Sequence, residues 1–242
     1  MALDDTACSS AALRGTSIEA LRHGRWYGDA CGCALTMELV GERWSLLIVR
    51  ELLLGPRRFN EVRAALPALS AKTLSERLAT LEVAGIVRSD RLERANGARG
   101  YGLTAWGQEL APVLQAMVRW AQASVIRNAA LPMTPVSLML ALVARLRPER
   151  IGGLDLWIAF DIAEQRFAGR LLPGGLTIHP GGDALQAPDL RFAARSATDF
   201  APVFFEGAPL GKDGHKLICE GDPQLASRFV ALFARKADET ST

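Results

Sequence analysis

Apolar positions along residues 33–54 recur at spacings of three and four. Val40, Trp44, Leu47, Ile48 and Leu54 fall on one side, which predicts a single helix. Gly55-Pro56 ends it. A second, short helix fits residues 59–66 and closes before Pro67. Ser70 then caps a third helix over 71–84, with Gly85 at its end. Its stripe of Leu74, Leu78 and Leu81 must face a core. Residues 86–93 and 101–103 flank a segment containing Asn96-Gly97, a strong hairpin-turn dipeptide, so a β-hairpin is expected there. Thr104 caps a last, long helix over 105–127, with Trp106, Leu110, Val113, Leu114, Met117 and Trp120 on a wide apolar stripe.

After a Pro-bearing connection at 131–135, Thr134-Pro135 opens a further helix over 135–146. From Gly152 the pattern changes. Leu154, Leu156, Ile158 and Phe160 alternate with Asp155, Trp157, Ala159 and Asp161, the period of a strand. Further strands fit 165–172, 175–179, 189–194 and 214–220, and helices fit 197–206 and 223–236. The fold class expected is therefore a mainly-α winged helix-turn-helix followed by an α+β domain with a mostly antiparallel sheet. The boundaries are an N-terminal arm at 1–28, the winged domain at 29–130, the α+β domain at 131–236 and a tail at 237–242.

Length and composition agree with two ordinary globular domains: 242 residues, 49% hydrophobic and 22% charged. The net charge of +2 is uninformative, but its distribution is not. Residues 43–99 hold 11 Lys+Arg against 6 Asp+Glu, whereas residues 131–242 hold 12 against 13. The positive excess lies where a polyanion would bind. The N-terminus carries Asp4 and Asp5 and no apolar signal region, and no apolar stretch approaches the roughly 20 residues of a membrane span. A cytoplasmic chain without a membrane partner is expected. Cys31 and Cys33 form a C-x-C pair with only His23 nearby, too few ligands for a zinc site, so neither metal nor cofactor is expected.

The third helix carries the chemistry. At 100° per residue, Lys72, Glu76, Ala79 and Val83 point away from the leucine stripe, flanked by Thr73, Ser75 and Thr80. A small polar face of this kind can enter a major groove about 12 Å wide. With Ser70, its N-terminus offers backbone N–H groups to a phosphate. Arg77 lies about 60° from the stripe, as an edge residue or in a structural ion pair. Arg88, Arg91, Arg94 and Arg99 on the hairpin suit phosphate or minor-groove contact. Ser70, Lys72, Thr73, Ser75, Glu76, Arg77, Thr80, Arg91, Arg94 and Arg99 are thus the candidate contacts to double-stranded DNA. The apolar stripe of the last helix has more surface than a three-helix core can cover, so a twin chain is expected on Trp106, Leu110, Val113, Leu114, Met117 and Trp120. A homodimer would present two recognition helices to half-sites one turn apart.

These residues resemble the HxlR family of bacterial winged helix-turn-helix regulators. The match covers residues 29–121 and rests on Cys31, Val40-Gly-Glu-Arg-Trp-Ser-Leu-Leu-Ile-Val-Arg-Glu51, Arg57-Arg-Phe59, Leu74-Ser-Glu-Arg-Leu78, Leu81-Glu-Val-Ala-Gly-Ile86, Tyr101-Gly-Leu-Thr104 and Gly107. The resemblance implies dimers formed through N- and C-terminal helices, the third helix in the groove, and a redox or electrophile-sensing role for Cys31. The second half resembles a sterol-carrier-like α+β domain, through its element order and Gly207-Ala-Pro-Leu-Gly-Lys-Asp-Gly214. That implies a pocket for an apolar small-molecule effector, with Trp157, Phe160, Phe167, Phe192, Phe204 and Phe229 as candidate lining; the same aromatics equally suit a small sheet core.

Two other functions stay open at this point. One is a winged-helix module used for protein contacts. The other is an enzyme built on the second half, although the chain has only His23, His179 and His215 and lacks the G-x-S-x-G, H-E-x-x-H and P-loop patterns.

Overall fold

Where periodicity predicts one helix over 33–54, the chain forms two: α1 (Gly32–Val40) and α2 (Ser45–Leu52). This computed structural model describes residues 27–92, 98–122, 124, 128, 131–181, 187–211 and 216–234, and only the backbone of 90–92, 98 and 99. The break lies at Trp44, whose φ of 82° is left-handed and cannot continue a helix. A Cβ on Gly41 would sit 2.3 Å from the Met37 carbonyl oxygen, so the turn needs glycine. Of the predicted stripe Val40 and Ile48 are buried, Trp44 and Leu54 are half-buried and Leu47 is exposed, while Val49 and Leu52 of α2 are buried instead.

The first unit continues with β1 (Arg57–Arg58), α3 (Phe59–Ala65), α4 (Ala71–Val83), β2 (Val87–Leu92) and β3 (Ala98–Leu103). The strands form an antiparallel sheet in the order β1-β3-β2. Ile48, Val49, Leu52, Val62, Leu74, Leu78 and Leu81 are buried and make the core between α2, α3 and α4. Glu51 is buried too. It bonds Arg50 at 2.8 Å and Arg57 at 3.2 Å, tying α2 to β1. The two guanidiniums compensate the desolvated carboxylate.

The helix expected over 105–127 is also divided, into α5 (Ala105–Gln108) and α6 (Leu110–Ala121). Pro112 explains the division: it lacks an N–H and crowds the preceding turn, so it is accommodated only in the first turn of a helix. Thr104 fastens α5 to the end of α4. Its hydroxyl donates to the Gly85 carbonyl at 2.7 Å and accepts from the Gly107 N–H at 3.0 Å. Gly107 has no room for a side chain, since a Cβ there would lie 2.1 Å from the Ile86 carbonyl oxygen.

The chain divides into two compact units between Leu110 and Ala111, ahead of the boundary expected at 130/131, so α6 groups with the second. There, α7 (Pro135–Arg145) is capped by Thr134, which accepts from the Ser137 N–H at 3.0 Å. The strands are β4 (Leu156–Ile162), β5 (Gln165–Leu172), β6 (Gly175–Pro180), β7 (Leu190–Ala194) and β8 (Ile218–Gly221). Helices α8 (Ala201–Phe205) and α9 (Pro223–Ala231) complete it. The sheet order is β6-β5-β4-β7-β8. The β4–β7 pair is parallel and the other pairs are antiparallel, so the sheet is mixed. Alternation in β4 appears as expected, with Leu156, Ile158, Phe160 and Ile162 on the buried face.

Candidate nucleic-acid interface

Helix α4 is held by its apolar side and shows its short polar side. Leu74, Leu78 and Leu81 are buried, while Ser75, Glu76 and Ala79 are exposed and Lys72 is 87% exposed. Lys72 lies 3.9 Å from Glu76, one turn on, a surface pair of little stabilising value. Three of the expected contacts are occupied within the helix. Ser70 Oγ accepts from the Thr73 N–H at 3.1 Å and lies 2.9 Å from Thr73 Oγ1. The Thr80 hydroxyl donates to the Glu76 carbonyl at 3.0 Å. Arg77 turns from the outer face and pairs with Glu42 at 3.1 Å, resolving its two readings toward a structural ion pair. The face therefore offers Lys72, Ser75, Glu76 and Ala79, with the α4 N-terminus behind them.

The hairpin strands lie beside α4, and their register pairs Arg91 with Arg99. The side chains of Arg91 and Arg99, and Arg94 with the Asn96-Gly97 turn, lie outside the described residues. Two exposed cations escaped the sequence reading, Arg58 on β1 and Arg63 on α3. Arg58 stands opposite Gly100 in the sheet. The Arg57-Arg58 doublet directly before the first residue of α3 was the available signal, but a two-residue strand leaves no period to detect.

The family model for the HxlR-like helix-turn-helix matches residues 39–129. The chain is 44% identical over 85 residues to the uncharacterized HTH-type transcriptional regulator YvaP of Bacillus subtilis, covering 35% of this chain and 79% of the relative. It is 41% identical over 83 residues to the HTH-type transcriptional regulator YodB of the same organism, covering 34% and 74%. The chain belongs to the HxlR-like helix-turn-helix family. Among solved structures, the reduced form of YodB from B. subtilis is 35% identical, covers 41% of this chain and 99% of its own, and gives a TM-score of 0.36. The second unit from α7 onward lies outside the family match.

Outside α4, this HxlR-like chain exposes large apolar side chains on α5 and α6. Trp106 is half exposed, Val113 and Met117 are exposed, and Trp120 is 83% exposed. Leu110 is half-buried and Leu114 is buried, so the expected dimer stripe is only partly open. A cavity of about 160 Å³ lies in the first unit, lined by Thr36, Leu39, Val40, Ile86, Trp106 and Leu110.

Cys31 is the N-cap of α1 and is exposed. Its sulfur accepts from the Cys33 N–H at 3.4 Å. The Cys33 and then the Ala34 backbone N–H groups hold its thiol below the usual cysteine range, because they stabilise the thiolate. Cys33 is also exposed.

The six candidate pocket residues of the second unit do not converge on a space. Phe160, Phe192, Phe204 and Phe229 are fully buried against one another, with ring centroids 5.2–6.4 Å apart. Phe167 is buried beside Phe160, its register partner on β5. Trp157 falls on the other face of β4, where the Arg170 guanidinium lies 4.6 Å from its ring. Strand alternation forces this separation, since residues 157 and 160 differ by an odd number. Among the described residues, no cluster of His, Cys, Asp or Glu could hold a metal ion, and no helix is long and apolar enough to cross a membrane.

Proposed function

We propose that this chain is a sequence-specific transcriptional regulator that binds double-stranded DNA as a homodimer. The observation that carries the reading is the outer side of α4: small, polar and open, with Lys72 in its first turn and three buried leucines holding it from behind. Ser75 and Glu76 face the groove, Lys72 and the helix N-terminus set by Ser70 and Thr73 meet a phosphate, and Arg91, Arg94 and Arg99 are the proposed further contacts to the DNA backbone. Relatives named as HTH-type transcriptional regulators support the same reading.

The test uses a duplex that the protein selects from a random-sequence library. Binding should weaken steeply with salt, and Lys72→Ala should reduce the slope of log Kd against log salt by about one. A parent that selects no duplex, or a slope unmoved by Lys72→Ala, removes the docking. The first outcome would favour a module for protein contacts.

The homodimer is supported by the exposed Trp120, Met117 and Val113 on α6. Trp120→Asp should shift the mass measured by light scattering at low concentration toward the monomer; an unchanged mass removes this interface. Cys31 is the proposed sensor of oxidants or electrophiles, supported by its exposure and its lowered thiol pKa. An apolar effector in the second unit is the remaining part of the proposal. Its coupling requires a ligand that prefers one dimer geometry, and the phenylalanine rings must part to admit it. A fatty-acid probe that leaves the unfolding temperature unmoved would argue against it. The role is regulatory, with no catalytic step assigned to either unit.

A further inference from the structure

We infer that Arg77 is a positioning residue for α4 and not a contact to DNA: through Glu42 it fixes the rotation of the helix against the turn between α1 and α2. The inference rests on the DNA-binding reading above.

Apolar packing holds α4 by its leucines and fixes which side faces out, but burial is non-directional and sets small rotations within that packing less sharply. An ion pair at a fixed anchor supplies direction. The anchor lies in a constrained turn: Glu42, its side chain 44% exposed, stands between Gly41, where no Cβ fits, and Arg43-Trp44, with Trp44 in a left-handed conformation and the Arg43 guanidinium 5.2 Å from its ring. Arg77 reaches this anchor from the middle of α4, with Nη2 3.1 Å from Glu42 Oε2. Its side chain is 19% exposed, against 87% for Lys72. Its Nε is buried, without a hydrogen-bond partner among the described residues. Arg77 is therefore held where Glu42 places it, away from the surface that a phosphate would meet. Readout of base edges tolerates misplacement of only about 0.5 Å or 10–20°, so a helix released from this tie loses affinity without losing a contact.

The experiment measures affinity for the selected duplex across a salt series for the parent, Arg77→Gln, Glu42→Gln, the double variant, Arg77→Lys and Lys72→Ala. Each Gln variant should weaken binding by about threefold, and the double variant by no more than the weaker-binding single. The salt slope should stay at the parent value, and Arg77→Lys should recover part of the loss. Glu42→Gln is the sharpest arm, because removing a negative charge near DNA should otherwise tighten binding.

If Arg77→Gln lowers the slope by about one while Glu42→Gln binds as well as the parent or better, Arg77 touches a phosphate and the inference is overturned. Additive losses overturn it as well. Unfolding in urea run on the same variants covers the case of poor folding: coupling between positions 42 and 77 must appear there too, and its absence sinks the tie. Should Lys72→Ala leave the slope unmoved while that coupling persists, the DNA-binding reading has failed and the tie has not.

Discussion

The outer face of α4 and the phenylalanine cluster behind β4 were both candidate sites in the sequence, and the structure treats them in opposite ways. On α4, the leucines go inside and Lys72, Ser75 and Glu76 remain outside, so these three of the groups singled out for chemistry are available to a partner. In the second unit, Phe160, Phe167, Phe192, Phe204 and Phe229 are themselves the core. Polar residues at helical spacing carry information about a surface, because burial would have penalised them. Aromatic residues carry information about burial first, and about ligands only when the packing leaves a space.

The largest expected effect lies in the cluster. Phe192 is fully buried and contacts Phe160, Phe204 and Phe229, with centroids 6.0, 5.2 and 5.7 Å away. Phe192→Ala removes those contacts and leaves a cavity that rigid strands cannot close, which should cost about 3–5 kcal/mol in chemical denaturation. A cost below about 1 kcal/mol would mean that the rings are loosely held, and would return the cluster to consideration as a ligand site.

How far the sequence could be read follows the same division. The period of Leu74, Leu78 and Leu81 located α4 and its open face without help from tertiary structure. Alternation from Leu156 to Ile162 located β4 equally well. Two breaks were missed for different reasons. The one at Trp44 depends on a left-handed conformation that a non-glycine residue adopts only when its surroundings impose it, and no local pattern announces that. The one before α6 had a visible cause in Pro112, overridden by the strength of the apolar stripe around it. Periodicity placed Arg77 beside the stripe and left an ion pair open, but could not name its partner, because Glu42 is distant in sequence and only the packing of the α1–α2 turn near α4 brings them together.

A smaller effect separates structure from contact within α4 itself. Ser70 Oγ accepts from the Thr73 N–H, so Ser70→Ala leaves a donor of the first turn unmet and should cost about 1 kcal/mol of stability. Ser70→Asp keeps an acceptor at the same place and should preserve that stability. On the selected duplex the two variants should part: the aspartate brings a negative charge to the helix end that meets phosphate, and should bind less well than the alanine. Equal binding by the two would place the α4 N-terminus away from the DNA backbone.

The last comparison is between the cysteines of the two units, where the expected effect is a displacement in pH with little change in stability. Cys31 sits exposed at the start of a helix, and the N–H groups of Cys33 and Ala34 favour its thiolate. Cys219 is half-buried on β8, where burial, and then the neighbouring Glu220 carboxylate, disfavour the charged form. Alkylation proceeds through the thiolate. The rate at Cys31 should therefore reach half its maximum at a pH below that of an ordinary thiol, and the rate at Cys219 above it, with iodoacetamide labelling followed cysteine by cysteine in peptide mass spectra. Position 33 then isolates the cause. Cys33→Ala keeps the backbone donor and should leave the Cys31 curve in place. Cys33→Pro removes the donor at the second position of α1, where a helix tolerates proline, and should move the curve toward higher pH. If alanine and proline shift the curve alike, the Cys33 thiol and not its N–H sets the reactivity of Cys31, and the helix N-terminus has no part in it.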